Sequence, residues 1–242
     1  MKGERWIWRG VAWSVCAALA YAVASMHWER VLPSWQFLLL ALGRSWLLAL
    51  LALALGTLAA IPLAAMRTYG PRRLAATVAL LIEAVRMTPD LMIVFWVYFA
   101  LPLATRSTVS AWSAALWALS VIAAAYLAEI IRGGLLSVPA GQLEGAAALG
   151  LSRLHGFVLI ELPQAARNML PALIAQFVSL FKTTSLVYAI GVMEFFRAVT
   201  VTNNAIYAPY ALYTLLAGGY FVSCWAITRA IRYFDPAYGP TG

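Results

Sequence analysis

Charge is what this chain has least of. Asp, Glu, Lys and Arg make up 11% of its 242 residues and hydrophobic residues 64%, whereas a soluble domain carries roughly 25% charged residues. That scarcity excludes an ordinary soluble fold. Cysteine is nearly missing as well. Cys16 and Cys224 lie in apolar stretches with no metal-ligand spacing, so both are read as buried structural thiols, and no disulfide framework is implied. The two histidines, His27 and His155, are far apart in sequence, and no metal role is expected of them. Ser14, Ser45 and Ser223 sit on apolar segments without a spaced His and Asp, and no H-E-x-x-H occurs. A GxxxxGK[ST] loop is missing too, so this chain has no phosphate cradle of that kind. The chain is not read as an enzyme, and no cofactor is expected on it.

What is present is long apolar runs. A helix needs about 20 mostly apolar residues to cross a bilayer. Six segments suit spans, at about Ile7–Met26, Phe37–Met66, Leu74–Leu103, Ser110–Arg132, Ala166–Phe195 and Tyr207–Ile231. The third is interrupted by Arg86-Met-Thr-Pro-Asp90. Strands of a barrel would show short alternating segments instead, so the fold is read as an all-α polytopic transmembrane bundle. The N-terminal run resembles a signal peptide, but no small-x-small cleavage site with a soluble domain follows, and it is read as an uncleaved helix.

A net charge of +8 invites a nucleic-acid reading. In a chain of this kind basic residues report orientation instead. With the N-terminus inside, one side carries Lys2, Arg5, Arg9, Arg67, Arg72, Arg73, Arg132, Arg153, Arg167, Arg229 and Arg232, and the other only Arg30, Arg44, Arg106 and Arg197. Both termini are therefore expected in the cytoplasm. Trp28, Trp35 and Trp112 fall at the outer boundary, where amphipathic rings favour the interface.

The cytoplasmic side then also holds the stretch Glu144–Pro163, EGAAALGLSRLHGFVLIELP. Its polar patch of Glu144, Arg153, His155 and Glu161 belongs in water between two spans. Pro139 and Gly141 break the preceding span. The alanines 146–148 favour a short helix over Gln142–Leu151, Gly150 suits a C-cap or tight turn, and Pro163 opens the next element. The pattern is that of a surface helix offered to a partner protein. An ordinary amphipathic loop resting on the membrane fits the composition equally.

Two places put polar groups at membrane depth, where such groups usually face the bundle interior, a partner or a water-filled path. One is Glu83, Arg86, Thr88 and Asp90, with Pro89 breaking the helix and freeing carbonyls. The bland alternative there pairs Arg86 with Glu83 at helical spacing. The other is Lys182, Thr183, Thr184 and Ser185, which line a path or make interhelical hydrogen bonds. Glu129 and Arg132 read as a surface ion pair or a cytoplasmic gate contact. Glu194 and Arg197 read as a similar pair near the outer end, available to a partner.

The order of these residues resembles the permease subunits of ABC importers, in particular the polar amino acid uptake branch. Its cytoplasmic signature runs Glu-Ala-Ala, three residues, Gly, nine residues, Ile, one residue, Leu-Pro. Glu144, Ala146, Gly150, Ile160, Leu162 and Pro163 stand at those places, with Gly145 replacing the first Ala. Glu83-Ala-Val-Arg86-Met87-Thr88-Pro89 is similar to its Arg-Gly-Thr-Pro block, with Met87 for Gly. Lys182-Thr183-Thr184-Ser185-Leu186 resembles its Lys-Asp-Thr-Ser-Leu, with Thr183 for Asp.

The resemblance implies a type I importer core of five helices over residues 37–242 and an added N-terminal helix within residues 1–36. It implies a coupling loop at about 137–165, docking on an ATPase through Glu144, Gly145, Ala146, Ala147, Gly150, Leu151, Ile160, Leu162 and Pro163. A substrate path is implied at Arg86, Thr88, Pro89, Lys182, Thr183, Thr184 and Ser185. The partners implied are two ATP-binding subunits that hold ATP and Mg, a second permease that is either a copy or a relative, a periplasmic solute-binding protein, membrane lipid and no nucleic acid. The implied location is the bacterial inner membrane. The substrate is a polar amino acid, with the missing carboxylate at Thr183 leaning toward an acidic or zwitterionic one. The rival reading is a channel or secondary carrier with no ATPase.

Overall fold

The computed structural model describes residues 13–14, 21, 23–106 and 108–234. Most of the span expected at Ile7–Met26, with Cys16, lies outside the described residues. A helical turn α1 (Trp28–Val31) and a tighter turn at Leu32–Ser34 lead into α2 (Trp35–Tyr69). Then come α3 (Arg72–Met87), α4 (Asp90–Phe95), α5 (Leu101–Thr105) and α6 (Ala111–Leu136). A short α7 (Ala140–Ala148) and one-turn α8 (Arg153–Gly156) precede α9 (Leu162–Thr183). The chain closes with α10 (Phe195–Ile206) and α11 (Pro209–Phe234).

Among the described residues, Trp28–Tyr69, Ala111–Leu136, Arg153–Ile190 and Pro209–Ala230 are long and apolar enough to cross a membrane, and Asp90–Ala104 is a shorter apolar helix. The third expected span is thus two helices in tandem. The fifth ends at Ile190, short of the expected Phe195. Apolar composition runs on without pause there, but Gly191 takes the left-handed conformation (φ 91°) that ends the helix, as glycine does without a Cβ penalty.

Small residues dictate how the two central helices meet. On α2, Ala52, Gly56, Ala60 and Ala64 recur every fourth residue, all buried, and so form one stripe along the helix. They face the alanines of α6. A Cβ built on Gly56 would stand 2.6 Å from the Ala123 Cβ and 3.1 Å from the Ser120 carbonyl oxygen. Close backbone approach of this kind is how membrane helices gain dispersion contact when lipid is as apolar as their own side chains. Gly134 plays the same part at the other end of α6, where an added Cβ would meet the Met169 Cβ of α9 at 2.9 Å.

Two π-helical turns, Trp96–Ala100 and Phe157–Glu161, have a common cause. Each is followed at once by Leu-Pro, Leu101-Pro102 and Leu162-Pro163. Proline has no N–H to give, and its ring crowds the carbonyl four residues back, so the helix widens by one residue and continues. The Leu-Pro of the cytoplasmic signature therefore shapes the joint between α8 and α9, and Pro163 lies inside the first turn of α9.

Candidate functional site

α7 starts after Pro139, which fixes an extended entry (ψ 135°), and it ends at Ala148 with Leu149 as its C-cap. Gly150 follows with φ 78°, the left-handed turn expected of it. Ser152 caps α8 by accepting from the His155 N–H at 3.4 Å. The loop is tied to the bundle on one side only. Ala146 is buried, and the face of Gly156 lies 3.7 Å from the Ala146 Cβ and 3.8 Å from a Leu143 methyl, measured from an added Cβ. The Tyr69 hydroxyl at the end of α2 donates to the buried Glu161 carboxylate at 2.7 Å, with Phe157 edge-on to the Tyr69 ring. Asn168 of α9 donates to Ser137 Oγ at 2.8 Å, which closes α9 onto the end of α6.

The opposite side faces solvent. Glu144, Gly145, Ala147 and Ala148 are exposed, as are Arg153 and His155. Leu149 is 84% exposed and Leu154 70% exposed. Two bare leucines, one on each side of the left-handed glycine turn, leave apolar side chains exposed on a loop whose charged residues are exposed as well. Of the residues expected to dock, Glu144, Gly145, Ala147 and Gly150 lie on this side. Ala146 instead holds the helix down, and Leu151 and Ile160 are half-buried. Leu162 and Pro163 are exposed at the α9 joint. Leu149 and Leu154 stand out only in the fold, because an exposed leucine in a hydrophobic chain carries no sequence signal.

The expected pairing of Arg86 with Glu83 does not form. Glu83 Oε1 lies 3.5 Å from Arg67 of α2, and Arg86 Nη1 reaches across to Glu129 of α6 at 3.8 Å. Arg86 also lies over the Tyr126 ring at 5.3 Å, within cation–π range. Helical spacing placed Glu83 and Arg86 side by side, but both turn toward neighbouring helices. Glu129 pairs with Arg132 as expected, at 3.1 Å, and also accepts from Arg67, so it is not a simple surface pair.

The helix break falls at Thr88, which is extended (ψ 134°), and at Pro89. Thr88 Oγ1 bonds back to the Ala84 carbonyl at 2.8 Å. Thr183 and Thr184 likewise donate to carbonyls of their own helix, at Ser179 (3.1 Å) and Phe181 (2.7 Å), and Ser185 donates to Lys182 (2.8 Å). These local bonds stand beside interhelical ones, from Thr183 to the Asp90 carboxylate and between Thr184 and Tyr220 of α11. The fold thus joins the two polar places, because the Asp90 carboxylate stands beside the Thr183 hydroxyl. Lys182 is exposed, near Cys224 of α11. Cys224 is half-buried, against the expectation of full burial.

At the start of α10, Glu194 and Arg197 are not a side-chain pair. Glu194 is fully buried and caps α10, accepting from the Phe196 and Arg197 N–H groups at 2.9 and 2.8 Å. Ser45 of α2 and Tyr220 of α11 each donate to it at 3.3 Å. It holds α10 to two spans and is closed to any partner. The Arg197 guanidinium donates instead to the Tyr188 carbonyl at 3.3 Å.

Comparison with known proteins matches this geometry. A probable glutamine ABC transporter permease of Bacillus subtilis (strain 168) is 36% identical over 165 residues, spanning 66% of this chain and 74% of that protein. The glutamate/aspartate import permease of Escherichia coli O157:H7 is 31% identical over 185 residues, 73% of this chain and 82% of that protein. A crystal structure of an amino acid ABC transporter with histidines superposes with a TM-score of 0.82 at 26% identity, covering 88% of this chain and 99% of that one. A methionine ABC transporter in inward-facing conformations shares the fold at 18% identity and a TM-score of 0.69. Residues 52–239 match the family model described as the inner membrane component of binding-protein-dependent transport systems. The chain therefore belongs to that family, as a non-catalytic permease subunit of an amino acid ABC importer in the inner membrane.

Proposed function

We propose that the α7–α8 loop of this permease docks on a cytoplasmic ATPase subunit and turns its closure into alternating access of the path between helices. The observation that carries this is the exposure of Leu149 and Leu154, on either side of Gly150, on a loop whose back is fastened to α2 and α9. A rigid helix end with a small-residue face fits a groove closely, and Glu144 and Arg153 offer charge-assisted contacts at its rim. Two ATPase subunits that bind ATP and Mg, a second permease and a periplasmic binding protein complete the assembly. Both chain termini and the loop face the cytoplasm in this reading, which the distribution of basic residues supports.

The test is co-purification from membranes. Glu144→Lys and Gly150→Asp, the second forcing a side chain into a φ of 78°, abolish recovery of the ATPase subunit while the permease itself is recovered at wild-type yield. Full ATPase recovery with both substitutions overturns the reading.

The path runs past the Thr88–Pro89 break and the Lys182–Ser185 segment. Arg86, Thr88, Pro89, Thr183, Thr184 and Ser185 border it, with Lys182 offering an ammonium to a substrate carboxylate. Thr183 brings no charge of its own, which leans the chain away from basic substrates. Asp90 beside Thr183 narrows that lean to a zwitterion, because it offers a carboxylate to an α-ammonium group. Competition assays in vesicles are expected to show neutral polar amino acids displacing one another. Arginine uptake that neither neutral nor acidic amino acids displace contradicts this.

A further inference from the structure

Glu129 is shared by arginines from three helices. It accepts from Arg67 of α2 and from Arg132 of its own helix at 3.1 and 3.3 Å, and Arg86 of α3 stands 3.8 Å from its second oxygen. Glu129 and Arg67 are both largely buried, with side chains 17% and 16% exposed. Among the described residues, only Glu83 adds a second carboxylate to the cluster. Guanidiniums outnumber carboxylates, so Glu129 always has a cation at hand whichever contact is released. That matters because an ionised carboxylate left unpaired in such a setting is costly.

The placement of these groups is mechanical. α6 runs unbroken from Ala111 to Leu136 and ends just before α7, so it is a rigid lever attached to the docking loop. Arg86 lies two residues ahead of the Thr88–Pro89 break, where the backbone turns extended and α3 can move against α4. Between lever and break stands the Glu129–Arg86 contact. Arg67 and Arg132, both already bonded to Glu129, keep it paired when Arg86 lets go.

We propose that Glu129 is the positioning residue that passes movement of the cytoplasmic loop to the Thr88–Pro89 break, through Arg86, while Arg67 and Arg132 keep its charge paired. The proposal rests on the docking reading of the α7–α8 loop. Spatial adjacency alone does not establish such a route, so the test is a double-mutant cycle on function. The complete transporter, with its ATPase subunits and binding protein, is reconstituted in vesicles. Uptake of a mixture of radiolabelled common amino acids is measured per ATP hydrolysed, alongside hydrolysis with no amino acid present.

Glu129→Gln and Arg86→Gln each lower uptake per ATP by about tenfold, within the range by which coupled sites influence one another, and each raises idle hydrolysis. The double variant is no worse than either single one. Arg132→Gln changes uptake per ATP by less than about twofold, because its contact lies within one helix and Arg67 still pairs with Glu129. ATPase subunits remain bound throughout, which separates this outcome from failure of docking. Should Glu129→Gln not assemble, Arg86→Gln with its half-exposed side chain answers alone. Wild-type uptake per ATP in Arg86→Gln, additive losses in the cycle, or an equal loss in Arg132→Gln each overturns the proposal.

Discussion

Changing Leu149 and Leu154 together to Asp abolishes amino acid uptake and leaves the permease folded. The two side chains are 84% and 70% exposed, so exchanging them costs the isolated chain within about 0.5 kcal/mol. Docked against an ATPase groove the same side chains lose their contact with water. Burying one large apolar side chain is worth about 1.5–3 kcal/mol, and interface energy concentrates in such anchors. Losing both and adding two carboxylates that must be desolvated weakens the complex by about 4 kcal/mol or more, a thousandfold in affinity. The checks are a thermal unfolding curve of the detergent-purified permease, expected unchanged, and recovery of the ATPase subunit, expected lost. Retained recovery with both aspartates would move the docking surface elsewhere on the chain.

The second large effect lies at the other end of the molecule and has a different cause. Glu194→Ala removes the acceptor for two helix-end N–H groups and for the Ser45 and Tyr220 hydroxyls; Glu194 and Ser45 are fully buried and Phe196, Arg197 and Tyr220 half-buried. Buried donors without acceptors cost about 1–3 kcal/mol each, and loss of a helix cap about 1 kcal/mol. Part is regained as Ser45 turns fully to the Ala41 carbonyl, which it already approaches at 3.4 Å. A net loss of about 3 kcal/mol is expected, read as a lowered unfolding midpoint and release of α10 to proteolysis between Phe195 and Ile206. Glu194→Gln keeps an amide oxygen for one helix N–H and falls between Ala and wild type. An Ala variant as stable as wild type would mean that α10 is held by its apolar face alone, Phe195, Ala198 and Val199 packed against Leu38, Ala41, Leu212 and Leu216.

These two sites differ in how far the sequence reveals them. The docking loop is legible because polar residues between two apolar runs have one place to go, and because Pro139, the alanines and Gly150 each carry a local conformational preference that the fold obeys. The apolar runs likewise mark α2, α6 and α11. Glu194 is not legible. A carboxylate near the end of a span reads as exposed, and nothing local shows that Ser45 and Tyr220, 149 and 26 residues away along the chain, converge on it. The Glu83–Arg86 pair fails for the same reason. Helical spacing makes them neighbours, but Arg67 and Glu129 on other helices are the nearer partners once three helices pack. The end of the fifth span was hidden by uninterrupted apolarity through Gly191. The link between the two polar places, Asp90 beside Thr183, depends on packing between segments some ninety residues apart.

Those observations give the chain one direction of transmission. The loop is held at its back by Tyr69 and Ala146, α6 runs from it as a lever, and the Pro89 break lies where the polar groups of two helices meet. Glu129 stands between lever and break, so a change at the loop reaches the path without any contact between them. The rival reading, a channel or carrier with no ATPase, gives the exposed leucines and the Glu129 cluster no task.

The most direct test is uptake into sealed vesicles holding this permease with its ATPase subunits, presented with binding protein and a mixture of labelled amino acids. The account predicts accumulation only with ATP on the cytoplasmic side, and ATP hydrolysis that rises when loaded binding protein is added. Amino acid accumulation by vesicles that contain the permease but no ATPase subunit would contradict it.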